Sequence, residues 1–348
     1  MVDPTLTERS ADRRRIALIE TTHWHAPLYF SALERADLSV VGVCDSAGLS
    51  GKRVAERFGC AAYPDIDALL HTEAIDFAFV FGRHCDMPGL ARRLIARRIP
   101  FAIEKPCGIK AIDVAALADE AEAAGVSVAV PFIFRLSDLL KLLETQERPG
   151  PVDHASFRFM AGPPGRYPAA GAPWALDRTL AGGGPLINVG VHFIDLFCHL
   201  VGEPVVSVSA SATSHIYRLS IEDVISVRLQ TRSGRIGTIE CGYTFPSDAN
   251  MQREFTFALR TEDAYFLSHP DGVLLRRRGR NGALATDVVP VRHETDLYYP
   301  EFVDRALIDA FSGAPAVAGL REAERALRIV EASYRSAESG GAPMAVEP

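Results

Sequence analysis

Over the first third of the chain, short apolar runs alternate with amphipathic stretches. RIALIE (Arg15–Glu20) reads as a buried strand, followed by a turn and a helical segment around PLYFSALERA. LSVVGVCD (Leu38–Asp45) predicts a second strand, SGKRVAERFG a helix closed by Gly59, and CAAYPDIDALL a short strand and helix. IDFAFVFG (Ile75–Gly82), PGLARRLIARR, PFAIEKP (Pro100–Pro106) and AIDVAALADEAEAAG continue the alternation, and VSVAVPFIF is the last strand. Strands and helices spaced in this way form a doubly wound parallel sheet with right-handed crossovers. Residues 11–130 are therefore expected to be an α/β Rossmann-type dinucleotide-binding domain.

Beyond Arg135 the period changes to two. VDHASFRF, VVSVSASAT, DVISVRLQT, RIGTIECGY, REFTFALR, AYFLS, GVLLRR and DVVPVR alternate apolar and polar positions, with Ser-Gly and Asp-Gly turns at Ser233 and Pro270. Residues 131–348 are expected to form an α+β substrate and oligomerisation domain on a large, mostly antiparallel open sheet. A proline- and glycine-rich stretch after Gly162 interrupts it and turns into a helix after Gly182-Gly183-Gly184. Two helices, YYPEFVDRALIDAF and REAERALRIVEASYRSAE, close the chain, and the second is expected to pack back on the first domain.

Composition narrows the partners. The chain has 348 residues, room for two domains of roughly 150 residues each. Hydrophobic residues make up 48% and charged residues 23%, which excludes disordered and fibrous classes. A net charge of -7 gives no bulk attraction to nucleic acid or anionic lipid, so a small-molecule substrate is expected, with no nucleic acid and no membrane. No apolar run of about 18 residues occurs and the N-terminus lacks a signal-peptide pattern, so a cytoplasmic location is expected. Cys44, Cys60, Cys85, Cys107, Cys198 and Cys241 form no C-x-x-C pair and are expected to be free thiols. Of 37 basic residues only Lys52, Lys105, Lys110 and Lys141 are lysine, so a lysine at a strand end draws notice.

Three segments carry candidate chemistry. After the first strand, a dinucleotide site normally reads G-x-G-x-x-G, because a tight turn and close backbone approach to pyrophosphate exclude side chains. Here the stretch is Glu20-Thr21-Thr22-His23-Trp24-His25, with no glycine. A Glu20 carboxylate about 5 Å from a phosphate would oppose it by ~3 kcal/mol at an effective dielectric of about 20. Asp45, at the end of the second strand, stands where an acid accepts from the adenosine ribose and repels a 2′-phosphate, which favours NAD over NADP; a turn cap is the plainer reading. Lys105, between Glu104 and Pro106, leaves the carboxyl end of a strand, where open α/β sheets bind ligands. On the helix after the three glycines, Asn188, His192 and Asp195 fall at i, i+4 and i+7 beside an apolar face of Ile187, Val191, Ile194 and Cys198.

EKP at 104–106, GGGPLINVGVHFIDLFCHLVGEP at 182–204 and the closing AERALRIVEASYRSAESG, in that order and spacing, resemble the Gfo/Idh/MocA family of oxidoreductases. The resemblance covers nearly the whole chain and implies an NAD(P)-dependent oxidoreductase acting on a secondary alcohol of a sugar, cyclitol or related polyol. It places the family's catalytic lysine on Lys105 and its histidine on His192, so His192 is expected to take the hydroxyl proton as hydride leaves and Lys105 to hold the same oxygen as charge develops on it. Asn188 replaces the usual aspartate, an amide that orients the imidazole without raising its pKa. Thr22, His23, Trp24, Asp45, Gly82, Arg83, His84 and Glu104 are the expected cofactor residues; Arg135, Trp174, Asp195 and Tyr243 are the expected substrate wall. Two loops depart from the family: the lost glycines, and Gly82-Arg83-His84 in place of Thr-Pro-Asn. Arg83 is a candidate to offset Glu20. His23, His25, His84, Cys85 and Asp86 hold metal-ligand types, but no spacing fixes their geometry, and no metal is expected. Two alternatives stay open: a lyase-like or trapped-cofactor enzyme, and a cofactor-free binding or regulatory protein. A homodimer or homotetramer through the second sheet is expected.

Overall fold

The computed structural model describes residues 13–145, 151–248, 251–278 and 282–347. The first apolar runs become β1 (Arg14–Ile19), β2 (Leu38–Cys44), β3 (Ala61–Tyr63), β4 (Phe77–Val80), β5 (Phe101–Ile103) and β6 (Val128–Ala129). They pair in parallel in the order β3-β2-β1-β4-β5-β6. Ile16–Ile19, Phe77–Phe81 and Phe101–Ile103 are buried throughout, as strands of a sheet covered on both faces must be. The order reverses between β1 and β4, which opens a crevice at their carboxyl ends. VSVAVPFIF is a strand only at Val128–Ala129. Pro131 brings no amide donor, Val130 donates to Ala318 instead, and the chain coils into a tight turn at Ile133–Leu136.

The second sheet holds β7 (His154–Ala161), β8 (Val205–Thr213), β9 (Val224–Thr231), β10 (Ile236–Gly242), β11 (Arg253–Arg260), β12 (Ala264–His269), β13 (Gly272–Arg278), β14 (Leu284–Val289) and β15 (Met344–Ala345). Its order is β14-β13-β12-β11-β7-β10-β9-β8-β15. Every pairing in it is antiparallel except β7 with β10. DVVPVR stops at Val289, before Pro290. The six cysteines are free thiols.

The helix Val191–Val201 and the last helix, Leu320–Glu338, lie against this sheet or one another. The last helix also packs on the Ala111–Ala124 helix, where Glu331 accepts the Ala111 amide at 2.8 Å and Arg321 reaches Asp119 and Glu122 at 2.6 Å. Tyr299–Ser312 packs on Ala26–Leu33 in the same way. Among the described residues, Arg178–Val201 is the one helical stretch long and apolar enough to cross a membrane, and 83% of its apolar window is buried inside the protein, as a core helix is.

The glycine turn that begins this stretch is set by space. A Cβ on Gly183 would stand 2.0 Å from the Tyr334 hydroxyl, and one on Gly184 would stand 2.7 Å from the Glu222 carbonyl. The buried Glu222 carboxylate accepts from Gly184 N (2.9 Å), Leu186 N (3.1 Å) and the Tyr334 hydroxyl (2.9 Å), which satisfies the free amides of the helix start. The first turn, Leu186–Gly190, is a π turn rather than an α turn.

Candidate active site and cofactor cleft

The π turn carries Asn188, and its extra residue offsets the register that would stack Asn188 on His192. Asn188 turns to the lysine instead. Lys105 Nζ, fully buried at the end of β5, donates to the Asn188 carbonyl at 2.8 Å and to its Oδ1 at 3.0 Å. Asn188 Nδ2 donates to the hydroxyls of Tyr167 (2.7 Å) and Tyr243 (2.9 Å), and the amine, a donor on the other side, fixes which end of the amide is oxygen. Burial pushes the Lys105 amine down to about 8, although the Glu104 charge works the other way. Two of its three hydrogens are committed to Asn188. The third is left for a ligand.

A cavity of about 260 Å³ lies in front of this amine, with His192, Trp24, His25, Tyr167 and Arg166 among its walls. The Nδ1 of His192 is sealed without a hydrogen-bond partner. Burial holds the ring well below its ordinary pKa, helped by the Lys105 charge, so it stands neutral near pH 7. Asp195 does not share this wall. It lies on the far side, paired bidentately with Arg135 at 2.7 and 2.8 Å, and Arg135 also donates to the Val317 carbonyl. This buried pair joins the helix to the chain before the last helix. It does not line the cavity, because Arg135 takes both carboxylate oxygens. Tyr243 also stands behind the wall: it is buried and serves Asn188.

A second cavity, of about 290 Å³, opens at the carboxyl ends of β1, β2 and β4. Thr22, His23, Gly82 and Arg83 line it as expected, together with Glu20, Ser46, Ala47, Phe81, Gly171 and Trp174. Trp174 was expected on the substrate side; the loop after Gly162 carries it over the cleft, edge-on to His84 (5.0 Å between ring centres) and beside His23. Trp24 was expected in the cleft and instead faces the first cavity, stacked on His23 at 3.9 Å and edge-on to Tyr167. Rings of His23, Trp24 and Trp174 thus divide the two cavities.

Asp45 takes the plainer of its two readings. Its carboxylate is buried and accepts from Thr22 Oγ1 (2.9 Å), Ser50 N (2.8 Å) and Gly51 N (3.1 Å), so it anchors a helix start and the β1 loop rather than lining the cleft. Glu104 likewise faces inward: Oε1 accepts from the Tyr29 hydroxyl at 2.7 Å, and Oε2 lies 3.2 Å from His25 Nδ1. His84 is buried behind Trp174 and donates from Nδ1 to the Ala181 carbonyl at 2.8 Å. Arg83 pairs with Asp86 rather than Glu20, and the Glu20 carboxylate accepts from Ser46 N and Oγ. Burial raises the Glu20 pKa against those hydrogen bonds. Of the candidate ligand set, His23 and His25 join Glu104 with donor atoms within 4.8 Å of one another, while Cys85 donates to Asp86. His23 Nδ1 already accepts from the His25 amide at 3.1 Å.

Known proteins match this arrangement along most of the chain. Residues 19–132 match the model of the oxidoreductase family with an NAD-binding Rossmann fold, and residues 141–262 match the GFO/IDH/MocA C-terminal domain. The chain belongs to the Gfo/Idh/MocA family. Within this family it is 23% identical to the rhizopine catabolism protein MocA of Rhizobium meliloti over 70% of this chain and 75% of that one. It is also 23% identical to the D-xylose 1-dehydrogenase (NADP(+)) 2 of Haloferax volcanii, over 89% and 93% of the two chains. The crystal structure of GenD2 from gentamicin A biosynthesis, in complex with NAD, shares its fold with a TM-score of 0.80 at 21% identity over 97% of each chain.

As a Gfo/Idh/MocA oxidoreductase, the chain keeps a backbone trace of the lost fingerprint. Glu20, at the first glycine position, has φ 61°, the left-handed conformation that glycine adopts without cost. The residues that sequence patterns did not single out are Tyr167, Arg166, Arg253 and Tyr299, which reach the first cavity from three separate segments. An arginine and a tyrosine inside PPGRYP were the one available signal.

Proposed function

We propose that the chain is a nicotinamide-dependent dehydrogenase that oxidises a secondary alcohol of a sugar, cyclitol or related polyol, with NAD preferred to NADP. The observation that most supports this reading is the facing pair at one cavity wall: a buried lysine amine with a free donor and a neutral imidazole.

Two leftover polar atoms, one on the cleft wall and one behind Trp174, suit a dinucleotide. His84 Nδ1 carries its proton to a carbonyl, which leaves Nε2 a buried lone pair without partner. His23 Nδ1 accepts from an amide, so in the neutral ring Nε2 is a buried N–H without partner. One donor and one acceptor are what a carboxamide answers. Thr22, Ser46, Gly82, Arg83, His23, His84 and Trp174 are the residues to hold the cofactor, and bound there it supplies the hydride acceptor. Glu20 takes over the discrimination first given to Asp45: a carboxylate lining the cleft disfavours a further phosphate.

The substrate hydroxyl binds between Lys105 and His192. Lys105 titrates at about 8, close to working pH, and is therefore the group suited to take the hydroxyl proton. The neutral amine gives its two hydrogens to Asn188 and its lone pair to the hydroxyl, and the proton it takes up then holds the oxygen as charge develops there. His192 sits too low to take a second proton and lacks a carboxylate behind it, so as a neutral ring it donates one N–H to the hydroxyl oxygen and orients it, leaving the hydroxyl proton to Lys105. This reverses the roles expected from the sequence.

Calorimetric titration with NAD, NADH, NADP and NADPH, followed by a polyol screen read in the dihydronicotinamide absorbance band, tests the reading. NAD is expected to bind more tightly than NADP and to be reduced with at least one polyol. No binding of any of the four dinucleotides would overturn it.

A further inference from the structure

The first cavity carries more positive charge than the hydride chemistry needs. Its walls hold three cations, Lys105, Arg166 and Arg253, against a single carboxylate, Asp296, in a chain whose net charge is -7. Asp296 is already used: it receives Arg253 through both guanidinium nitrogens, at 3.3 and 3.1 Å, and Glu294 adds a second acid to the same arginine at 3.2 Å. Lys105 is assigned to the reacting oxygen. Arg166 is left over.

No carboxylate lies within ion-pair distance of Arg166 among the described residues. The residue is exposed to solvent at the cavity mouth, and its side chain is nonetheless held in place there. The guanidinium lies over the ring of Tyr167 at 4.8 Å and the ring of Tyr243 at 5.4 Å. One nitrogen, Nη2, donates to the Tyr167 hydroxyl at 2.8 Å. Among the described residues, Nε, Nη1 and the second hydrogen of Nη2 have no protein partner, and they face the cavity mouth. Tyr167 and Tyr243 are the two hydroxyls that hold the Asn188 amide, and Asn188 holds Lys105. The fixed guanidinium and the amine are thus tied to one frame, a short way apart on the same wall. The other polar walls, Gln252 and Thr295, are neutral, and Trp24, Phe134 and Phe193 offer flat apolar faces.

We infer that the substrate is a sugar acid, an aldonate or uronate, whose carboxylate is taken by Arg166 while its reacting hydroxyl meets Lys105 and His192. The inference rests on the dehydrogenase reading of this cavity and adds the substrate's charge. A planar guanidinium whose second Nη2 hydrogen is free beside Nη1 fits a carboxylate in a forked pair. One uncompensated guanidinium matches a single negative charge, and a sugar phosphate brings nearly two. A cavity of about 260 Å³ holds one sugar ring.

The probes are D-glucuronate, D-galacturonate and D-gluconate, each beside its neutral counterpart, D-glucose, D-galactose and D-glucitol, with glucose 6-phosphate as a control. In the parent, at least one acid is expected to exceed its neutral partner tenfold or more in kcat/KM. Arg166→Gln is expected to lower that ratio at least tenfold through KM, and Arg166→Lys to restore part of it. Binding of the acid is expected to weaken with added salt, and binding of the neutral sugar to stay level. A neutral sugar or the phosphate preferred by the parent, or an acid preference unchanged in Arg166→Gln, would overturn the inference and leave the dehydrogenase reading intact. If no probe is oxidised with any dinucleotide, that reading fails instead. Calorimetric binding of the three acids to parent and Arg166→Gln then decides the inference alone: acid binding that depends on Arg166 upholds it, and acids bound no better than neutral sugars refute it.

Discussion

Lys105 and Asn188 show how one amide can set a lysine's chemistry. Lys105→Ala is expected to lower turnover by about 100-fold or more, and Lys105→Arg to fail as well, since a planar fork cannot occupy the space of a compact ammonium between the two Asn188 oxygens. With the amine at about 8, kcat/KM for oxidation should rise with pH and level off above that value. Asn188→Ala removes an acceptor that favours the charged amine and should move the inflection to lower pH, whereas Asn188→Asp should move it higher. An inflection that ignores both changes would remove Lys105 from the proton path. At the other cavity, Glu20 holds a glycine-like φ of 61° and puts a carboxylate beside the cleft. Glu20→Gly should therefore tighten NAD binding severalfold in a calorimetric titration. Weaker binding, or none in parent and variant alike, would mean that the cleft has been rebuilt for another ligand.

At the scale of elements, the glycine turn and the π turn after it decide where the site residues point. The helix was legible in the sequence, and so was its apolar face: Ile187, Val191, Ile194 and Cys198 are all buried. The π turn was not, because nothing in LINVG distinguishes it from an α turn; Glu222, 36 residues later, and Lys105, 83 residues earlier, hold the first turn from both sides. The turn tolerates no side chain. Gly184→Ala drives a Cβ against the Glu222 backbone and is expected to cost on the order of 1–3 kcal/mol, as overpacking does. The expected result is a thermal midpoint lowered by several degrees together with a displaced Lys105 inflection. An unchanged midpoint would show that the turn is loose and that Glu222 does not set it.

For the whole molecule, pH and assembly are the observables. His23, His25, His84 and His192 are held neutral by burial, with His84 down to about 3. The unfolded chain protonates them near 6.5 and the folded chain does not, so the unfolded state binds more protons and stability falls as pH drops below 6.5. Each contributes a slope approaching about 1.4 kcal/mol per pH unit there. Urea unfolding at pH 7.5 and 5.5 should give a markedly lower midpoint at the lower pH, and equal midpoints would show that these rings charge in the folded state. Tyr265, Leu267, Leu284 and Val288 leave an apolar strip exposed on the outer side of β12–β14. A second copy is expected to cover it. Light scattering at micromolar concentration should find a dimer or tetramer in the parent and a smaller particle in Tyr265→Arg with Leu267→Glu.

The order of strands and helices, the change from parallel to antiparallel sheet, the cysteine state and the family were settled by residues near one another in sequence, because period, turn chemistry and motif spacing are local properties. Lys105 and His192 were singled out for the same reason, and the fold brings both to one cavity. The partners of buried polar groups were not. Asp45 faces a helix start, Asp195 pairs with Arg135, Tyr243 and Asn188 serve a lysine, and Trp174 covers the cleft from a loop of the second domain. Each of these depends on which segments, 55 to 83 residues apart in several cases, come to share one buried space, and a buried polar group takes whichever donor or acceptor the packing brings to it.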